Sequence, residues 1–286
     1  MPAYDIALSA VWMCTRISTI EEFMDFARFV NYEENSYNGT TVLLDADIDF
    51  AGGFSKQFEP IGKVGRSVHD EVNYFQGTFD GQGHSIKNLV IESDMRAVGL
   101  FGFSKGETTI RNLVLDESCS VTSYCNDSDV SIGGVIGKIY ASAGNCRIEN
   151  VVNKGNTYFR ADTMYRLHIG GIVGEIDLYR HNLTVKSCTN NGTVANSGSC
   201  VMAYVGGIAG KVSDSYSDTA RIRKCVNNGD VLNNGKAFIT RIGGISGYSE
   251  PGVEEDCVNN GDVISNGAST RTINFIAFLL FVFLLA

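Results

Sequence analysis

The chain has 286 residues, a formal net charge of −9 and a pI near 5.0. Nucleic-acid binding requires clustered Lys and Arg to neutralise phosphates, and the sequence has no basic stripe, so its composition argues against a nucleic-acid partner. Hydrophobic residues make up 44% of the chain and charged residues 19%, with only 3 prolines and no Pro- or Ser-rich linker. One long, narrow core is therefore favoured over two globular domains.

A short amphipathic helix is predicted near the N-terminus. Ser18-Thr-Ile-Glu21 fits a capping box, a pattern that begins many helices. Apolar residues then recur at helical spacing, at Ile20, Phe23, Phe26, Ala27 and Val30. We predict that residues 18–31 form this helix and that its apolar face covers the open N-terminal end of the domain that follows.

Three aspartates, Asp45, Asp47 and Asp49, alternate with other residues. In a strand, alternate side chains share one face, and Ca²⁺ prefers carboxylate oxygens as ligands, so these residues form the candidate metal site. The alternative is an ordinary solvated face or a cap on the turn that follows. Further on, Asp80 and His84 lie in a glycine-rich corner, where we expect Asp80 to accept hydrogen bonds from nearby backbone amides rather than to act as an acid.

Four Gly-Gly segments repeat along the second half of the chain. They begin at Ile132, Ile169, Val205 and Ile242. These starts lie 37, 36 and 37 residues apart, a spacing that marks a solenoid in which one unit stacks on the next. Apolar and polar residues alternate through the segments, as in Val135 and Ile139 against Lys138, which predicts strands. The glycines are expected to leave room where the opposite wall of the solenoid approaches.

A second signature keeps step with the first. Its copies begin at Val151, Cys188, Cys225 and Cys257, and each ends in glycine after one or two asparagines. The last interval shortens to 32 residues, which indicates a trimmed loop. Asn-Gly readily takes positive φ, so each copy is expected to mark a tight corner after an extended run.

The repeat length predicts how the strands coil. A unit of 37 residues is predicted to form two coils of roughly 18 residues, with strands stacked about 4.8 Å apart. The fold class is therefore all-β, a parallel β-helix, and right-handedness is the usual sense of parallel crossovers. Two coils per repeat place the Cα atoms of Cys188, Cys225 and Cys257 about 9–10 Å apart, too far for a disulfide, so we interpret these cysteines as small apolar core residues.

The repeats resemble the GLUG-motif proteins, which include bacterial and protist surface proteins and immunoglobulin-A-cleaving peptidases. Gly99-Leu-Phe-Gly102 and the four Gly-Gly segments look like the core of the motif, and Pro60-Ile-Gly62 is similar to the segment that leads into such repeats. The resemblance covers about residues 15–267 and implies a right-handed β-helix of the pectin-lyase type. It does not bring peptidase activity with it, because the four histidines never form HExxH.

The C-terminal end of the sequence is an apolar run at residues 275–286. It is too short to span a bilayer, which takes about 20 apolar residues, but it matches the tail of a GPI-anchor signal. A membrane-inserted tail or a hydrophobic cap are the alternatives. The expected organisation is an N-terminal segment and helix at 1–31, a GLUG-type β-helix at 32–267 and the tail at 268–286. Residues 1–14 resemble a signal peptide poorly, since residues 1–5 carry no basic side chain.

Two functions follow from these features. The favoured hypothesis is a non-enzymatic protein of the cell surface or extracellular space, attached to a membrane by its tail and acting as an adhesin, spacer or interaction scaffold. The alternative is a carbohydrate-active β-helix enzyme, a polysaccharide lyase or glycosidase. The expected ligand is a protein or a carbohydrate, and no catalytic or cofactor-binding residue is assigned. Candidates for a ligand-binding strip are Tyr140, Tyr158, Tyr179 and Tyr248.

Overall fold

The structure is a computed structural model. It describes residues 15–33, 35–51, 58–64, 72–162, 165–213, 220–267 and 269–275, with the last segment described by its backbone. Most of the predicted N-terminal segment, residues 1–14, and nearly all of the apolar run at 275–286 lie outside the described residues.

The described chain winds into a parallel β-solenoid. Each complete coil contributes strands to four sheets in turn, and the strands of each sheet pair in parallel with those of the neighbouring coils. We number these sheets 1 to 4 in the order in which the chain visits them. The predicted fold class, an all-β parallel solenoid with an N-terminal capping helix, is confirmed.

Sheet 1 has thirteen strands, because several coils cross it in two short pieces. Its strands are Arg16–Ile17, Thr41–Leu44, Ile48–Asp49, Thr78–Asp80, Ser85–Lys87, Thr109–Leu115, Asn145–Asn153, Asn182–Lys186, Thr189–Asn190, Ala220–Arg223, Val226–Asn227, Glu254–Glu255 and Val258–Asn259. The strands of sheet 2 are Val90–Ser93, Ser120–Ser123, Asn156–Phe159, Val194–Asn196, Val231–Asn233 and Val263–Ser265.

Sheets 3 and 4 complete each coil. Sheet 3 consists of Ala97–Val98, Asp129–Gly133, Arg166–Gly170, Cys200–Gly206, Ala237–Gly243 and Ser269–Phe275. Sheet 4 consists of Phe101–Lys105, Ile136–Ala141, Val173–Leu178, Ala209–Ser213 and Ser246–Tyr248. Outside these sheets, Lys63–Val64 and Val72–Asn73 form an antiparallel pair.

One sequence repeat forms one coil, so the predicted two coils per repeat are wrong. Ile132 pairs directly with Ile169, and Ile169 pairs directly with Val205. One coil has four strands and four corners and uses all the residues of a repeat unit, whereas the prediction assigned half a unit to each coil. The trimmed loop lies between sheets 4 and 1, because Lys211 pairs with Tyr248, 37 residues on, whereas Ile222 pairs with Glu254, 32 residues on.

The Asn-Gly signature has a different physical basis from the predicted one. Positive φ occurs just before the repeated position that holds Cys188 and Cys225, at Ser187 (53°) and Lys224 (53°). The glycine of the signature is required for close approach between coils. A Cβ on Gly192 would lie 1.9 Å from the carbonyl oxygen of Gly155 in the preceding coil, so no larger residue fits without displacing the backbone.

Four asparagines, of which Asn153, Asn190 and Asn227 are buried and Asn259 is exposed, connect successive coils through their side chains. Nδ2 of Asn153 donates to Oδ1 of Asn190 (3.1 Å), Nδ2 of Asn190 to Oδ1 of Asn227 (2.8 Å) and Nδ2 of Asn227 to Oδ1 of Asn259 (2.8 Å). We call these four residues the asparagine ladder. Each also donates to the carbonyl of the glycine two residues later, so the amide that links the coils fixes the local corner as well.

The asparagine ladder reaches across the core to the Gly-Gly segments. Nδ2 of Asn153 donates to the carbonyl oxygen of Gly171 (2.8 Å). A Cβ on Gly171 would lie 2.3 Å from Cγ of Asn190, so the glycine makes room for the amide. The two repeated signatures therefore contact each other, which supports the expectation that the glycines admit the opposite wall.

Two of the three repeated cysteines lie in the core as predicted, and the third, Cys257, is partly buried and packs against the core. Cys188 and Cys225 are fully buried, and they occupy neighbouring coils, since the amide of Val226 donates to the carbonyl of Cys188 (2.9 Å). The predicted spacing of 9–10 Å is wrong because it assumed two coils per repeat. Both residues are free thiols. The pKa of Cys225 is raised to about 12 by its contact with Cys188 and by burial, so the thiol stays neutral.

The N-terminal helix spans Ile20–Tyr32 and covers the first coil. Its capping box is formed by Thr19 and Glu22, one residue later than predicted, with Thr19 Oγ1 accepting from the Glu22 amide (3.2 Å). A capping box of Ser18 with Glu21 and one of Thr19 with Glu22 both fit the sequence pattern. The second forms in the structure, where the apolar face of the helix is buried. Phe23 packs edge to face on Phe50, with ring centroids 5.7 Å apart, and Phe26 stacks on Phe79.

Candidate functional site

The three candidate calcium ligands bind separate partners. Asp45 accepts from Gln82 and pairs with Arg16, Asp47 pairs with Lys87 (2.8 Å), and Asp49 accepts from Asn88. Hydrogen bonds from Lys87 and Ser85 lower the pKa of Asp47, which keeps this carboxylate ionised. Within the described ranges, no group of three or more acidic, His or Cys side chains is arranged to hold a metal ion. The fit to Ca²⁺ is therefore poor, and calcium binding at this face stays a prediction.

Asp80 makes the backbone contact expected of it. Its Oδ1 accepts from the Gln82 amide (3.0 Å) and from the side chain of Asn112, and its Oδ2 pairs with Arg111 (2.8 Å). Burial raises the pKa of Asp80, but these hydrogen bonds and the charge of Arg111 outweigh burial and lower the pKa overall. The carboxylate of Asp80 therefore stabilises the corner of its own coil and joins it to Arg111 and Asn112 of the next coil.

The four candidate tyrosines do not form one strip. Tyr158 lies in sheet 2, whereas Tyr140 and Tyr248 lie in sheet 4 and Tyr179 follows a strand of that sheet. Arg160 packs over the ring of Tyr158, 5.1 Å from its centroid. The ring of Tyr248 packs against Tyr204 in the groove described next.

The outer faces of sheets 3 and 4 meet at the Gly-Gly corners and enclose a groove. Side chains of each coil point into it from both sheets, because their positions alternate with buried inward residues such as Ile132 and Ile169. The positions nearest the Gly-Gly segments in sequence are Ser131, His168, Tyr204 and Arg241 in sheet 3, and Lys138, Glu175, Lys211 and Tyr248 in sheet 4. We call this surface the corner groove.

Glu175 is the centre of the corner groove. Its side chain is only 7% exposed, and its Oε2 lies 2.9 Å from Nζ of Lys138, 3.0 Å from Oγ of Ser131 and 3.4 Å from Nδ1 of His168. Oε1 lies 3.5 Å from Nζ of Lys211. Three successive coils therefore contribute groups to one buried carboxylate.

The charges of the corner groove are mutually stabilising. Burial raises the pKa of Glu175, but the contacts with His168 and Lys138 outweigh it and hold the pKa well below its usual value. Burial lowers the pKa of Lys138, and the neighbouring Glu175 and Asp177 more than offset this, so the pKa of Lys138 is raised. Glu175 and Lys138 consequently remain charged together across the neutral pH range.

Aromatic rings extend the corner groove beyond Glu175. His168 and Tyr204 pack with ring centroids 5.2 Å apart, and Tyr204 and Tyr248 with centroids 6.1 Å apart. The guanidinium of Arg241 lies 4.3 Å from the ring centroid of Tyr248. Aromatic rings and cationic side chains therefore follow one another along the corner groove, in the direction in which the coils stack.

Ser131, His168 and Glu175 do not form a catalytic relay. In such a relay the serine and the acid bind opposite nitrogens of the imidazole, so that the proton passes through the ring. Here Oγ of Ser131 and Oε2 of Glu175 both lie near Nδ1 of His168, at 3.2 and 3.4 Å. The geometry therefore holds the imidazole in place and does not activate the serine.

The alternation that sets Lys138 against Val135 and Ile139 does not show that Lys138, Glu175 and Lys211 act together. The sequence does contain a sign of this contact, because the charge at this position of the repeat alternates from Lys to Glu to Lys. The alternation predicts contact only if one repeat forms one coil, so that the three side chains are neighbours. His168 immediately precedes a Gly-Gly segment, and its contact with Glu175 depends on the angle between two sheets.

Comparison with known proteins supports the fold more than any activity. No family model matches the chain. The chain is 31% identical to halomucin of Haloquadratum walsbyi over an alignment of 114 residues, and the alignment covers 38% of this chain and 1% of the length of halomucin. It is similar to the crystal structure of a Bacteroides ovatus protein described as a "putative immunoglobulin A1 protease", with a TM-score of 0.56 and 18% identity over 91% of this chain and 76% of that one. At this identity the likeness shows a shared β-helix fold.

Among the residues that the structure covers, no helix combines the length and the apolar character needed to cross a bilayer.

Proposed function

We propose that this protein is a non-enzymatic, surface-exposed repeat protein whose solenoid acts as an adhesin, spacer or interaction scaffold. The observation that carries the proposal is the in-register stack, in which each coil pairs with the next along all four sheets and through the asparagine ladder. Such a body resists bending and displays its outer faces at fixed spacing, as a spacer or scaffold requires. The similarity to halomucin supports the surface location.

The repeats themselves are proposed to be GLUG motifs. Support comes from their common place in the fold, since Gly99, Gly133, Gly170, Gly206 and Gly243 all stand where sheet 3 gives way to sheet 4. The GLUG resemblance concerns repeats of surface proteins, which fits the role proposed for the stack.

Membrane attachment directed by residues 275–286 is proposed as a second element of this function, since a GPI signal is removed when the lipid anchor is added upstream of it. The support is the apolar sequence of the tail, which matches a GPI signal. The test is release of full-length protein from intact cells by phosphatidylinositol-specific phospholipase C. We expect release into the medium, and retention on the treated cells would contradict a GPI anchor.

Surface exposure is tested on intact cells that express the full chain. We expect a membrane-impermeant biotin reagent to label the exposed Lys154 before lysis, with an intracellular protein as the unlabelled control. Absence of labelling until the cells are opened would contradict the surface role.

The carbohydrate-active alternative is tested on the purified protein. We expect no cleavage of acidic polysaccharides with or without Ca²⁺, because Asp45, Asp47 and Asp49, the acidic residues of this hypothesis, each bind a different side chain. Turnover that Ca²⁺ stimulates and that Asp47→Ala abolishes would replace the scaffold proposal with an enzyme and would establish the aspartates as a calcium site.

A further inference from the structure

The corner groove contains polar atoms whose hydrogen bonds are incomplete. Among the described residues, Nε2 of His168, Oδ1 of Asp129 and Oγ of Ser213 are buried and have no hydrogen-bond partner, and all three residues line one pocket. Only 1% of His168 is exposed. Buried polar atoms in folded proteins are satisfied by protein, by water or by a ligand, so this cluster indicates a site for a polar molecule.

The pocket has the size of a small-ligand site. Its volume is about 440 Å³, within the range of roughly 300–1,000 Å³ in which such sites fall. Sheet 3 forms one wall with Asp129 and Arg166, sheet 4 forms the other with Asp177 and Lys211, and Val64 lies at one end.

The charge of the pocket favours an anion. Four cationic side chains line it against three carboxylates, in a chain whose net charge is −9; the cations are Arg96, Lys138, Arg166 and Lys211, and the carboxylates are Asp129, Glu175 and Asp177. Glu175 already engages both lysines. The ion pair of Arg166 with Asp129 is loose, at 3.8 Å, which leaves its guanidinium able to pair with an added carboxylate.

The incomplete hydrogen bonds need a donor on the ligand, and hydroxyl groups can supply it. Oδ1 of Asp129 can only accept, so it needs a donor, whereas the hydroxyl of Ser213 can donate or accept. A carboxylate alone supplies no donor at neutral pH. A molecule that carries both a carboxylate and neighbouring hydroxyls meets both needs.

We propose that this pocket binds a hydroxycarboxylate, either as a free hydroxy acid or as an acidic sugar unit of a glycan. The carboxylate pairs with Arg166 and Lys211, and the hydroxyls bond to Asp129, Ser213 and Nε2 of His168. This inference goes beyond the scaffold role and does not depend on where the protein is located.

The test is isothermal titration of the full-length protein with sodium glucuronate, glucose and inorganic phosphate. We expect glucuronate to bind at least about tenfold more tightly than glucose, which lacks the carboxylate, or phosphate, which lacks the carbon-borne hydroxyls, since one charge-assisted hydrogen bond contributes this much. No binding of glucuronate, or equal binding of all three probes, would overturn the proposal.

Variants locate the site. We expect Arg166→Ala to weaken glucuronate binding about tenfold or more, and the matched control Arg147→Ala, on an exposed position of sheet 1, to leave it unchanged. Lys211→Gln is the second variant, and its affinity for glucuronate tests the site if Arg166→Ala is too unstable to be titrated. Unchanged affinity in a folded variant would place the binding elsewhere.

A further titration distinguishes a free hydroxy acid from an acidic sugar unit of a glycan as the ligand. A glucuronate-containing oligosaccharide that binds about tenfold more tightly than free glucuronate, with the same sensitivity to Arg166→Ala, identifies the glycan as the ligand. Equal or weaker binding of the oligosaccharide identifies the free acid. Tight binding that Arg166→Ala leaves unchanged counts against the pocket.

Discussion

A single buried amide, that of Asn190, shows how one residue can serve three parts of the fold. Asn190 accepts from Asn153 in the coil before, donates to Asn227 in the coil after and donates to Gly192 in its own corner. The residue is fully buried, so no water replaces a lost partner. Its contribution to stability therefore exceeds that of one ordinary hydrogen bond.

Asn190→Ala is expected to lower the free energy of unfolding by about 2–3 kcal/mol, because it removes the donor to the buried Oδ1 of Asn227 and to the carbonyl oxygen of Gly192. The matched control is Asn191→Ala. Its exposed side chain accepts from Asn228, and water can replace that bond, so a loss below about 0.5 kcal/mol is expected. Urea denaturation of both variants measures the difference, and equal losses would contradict the role of the ladder.

The charge of Glu175 is expected to stabilise the fold in a pH-dependent way. Its pKa in the folded protein lies below the ordinary value of 4.5, so its stabilising effect is complete above pH 4.5 and is lost as the pH falls through the lowered folded value. Glu175→Gln should cost about 2 kcal/mol at pH 7, since two partly exposed lysines lose their buried partner.

This pH dependence is measured as the difference in unfolding free energy between wild type and Glu175→Gln from pH 7 to pH 3. Other carboxylates titrate in both proteins and cancel in the difference. The gap should narrow on acidification, and a gap that stays constant would show that the charge of Glu175 has no stabilising partner.

At the scale of elements, the N-terminal helix closes the end of the stack. Its apolar face covers Phe50, Phe75 and Phe79 of the first coils, which would otherwise meet water. Asn31 at the end of the helix accepts from the amide of Gly62 (2.8 Å) and donates to the carbonyl of Pro60, so helix and stack are also joined by hydrogen bonds.

The register of the capping box leads to a paired prediction. Thr19→Ala should lower the free energy of unfolding by about 1 kcal/mol, because the amide of Glu22 loses its acceptor. Ser18→Ala should have little effect, since Ser18 contributes its backbone amide to Glu22 and the variant retains it. Thermal melts of both variants test this, and the reverse order would restore the capping box predicted from sequence.

At the scale of the whole molecule, stability is a sum over coils and the interfaces between them. Removing one complete coil should leave a shorter stack in register, because Ile169 and Val205 occupy equivalent places. Deletion of residues 169–204 should therefore give a folded protein with a cooperative transition and a Tm lower by on the order of 5 °C.

The control for that deletion is removal of half a repeat, residues 169–186. This change joins sheet 3 directly to sheet 1 and omits a strand of sheet 4, so the remaining coils cannot pair. We expect loss of the β-sheet signal in circular dichroism or aggregation. A folded half-repeat variant would favour two coils per repeat over the observed one.

The sequence by itself determined the solenoid, its parallel strands, the buried place of Cys188 and Cys225, and the helix that covers the first coil. Repetition and alternation carry this information because each repeated position must meet its own copy in the next unit. Only the tertiary structure decided that one repeat makes one coil, and that Lys138, Glu175 and His168 share a groove. The angle between two sheets at a corner is set by packing across the core, and no local pattern of residues encodes it.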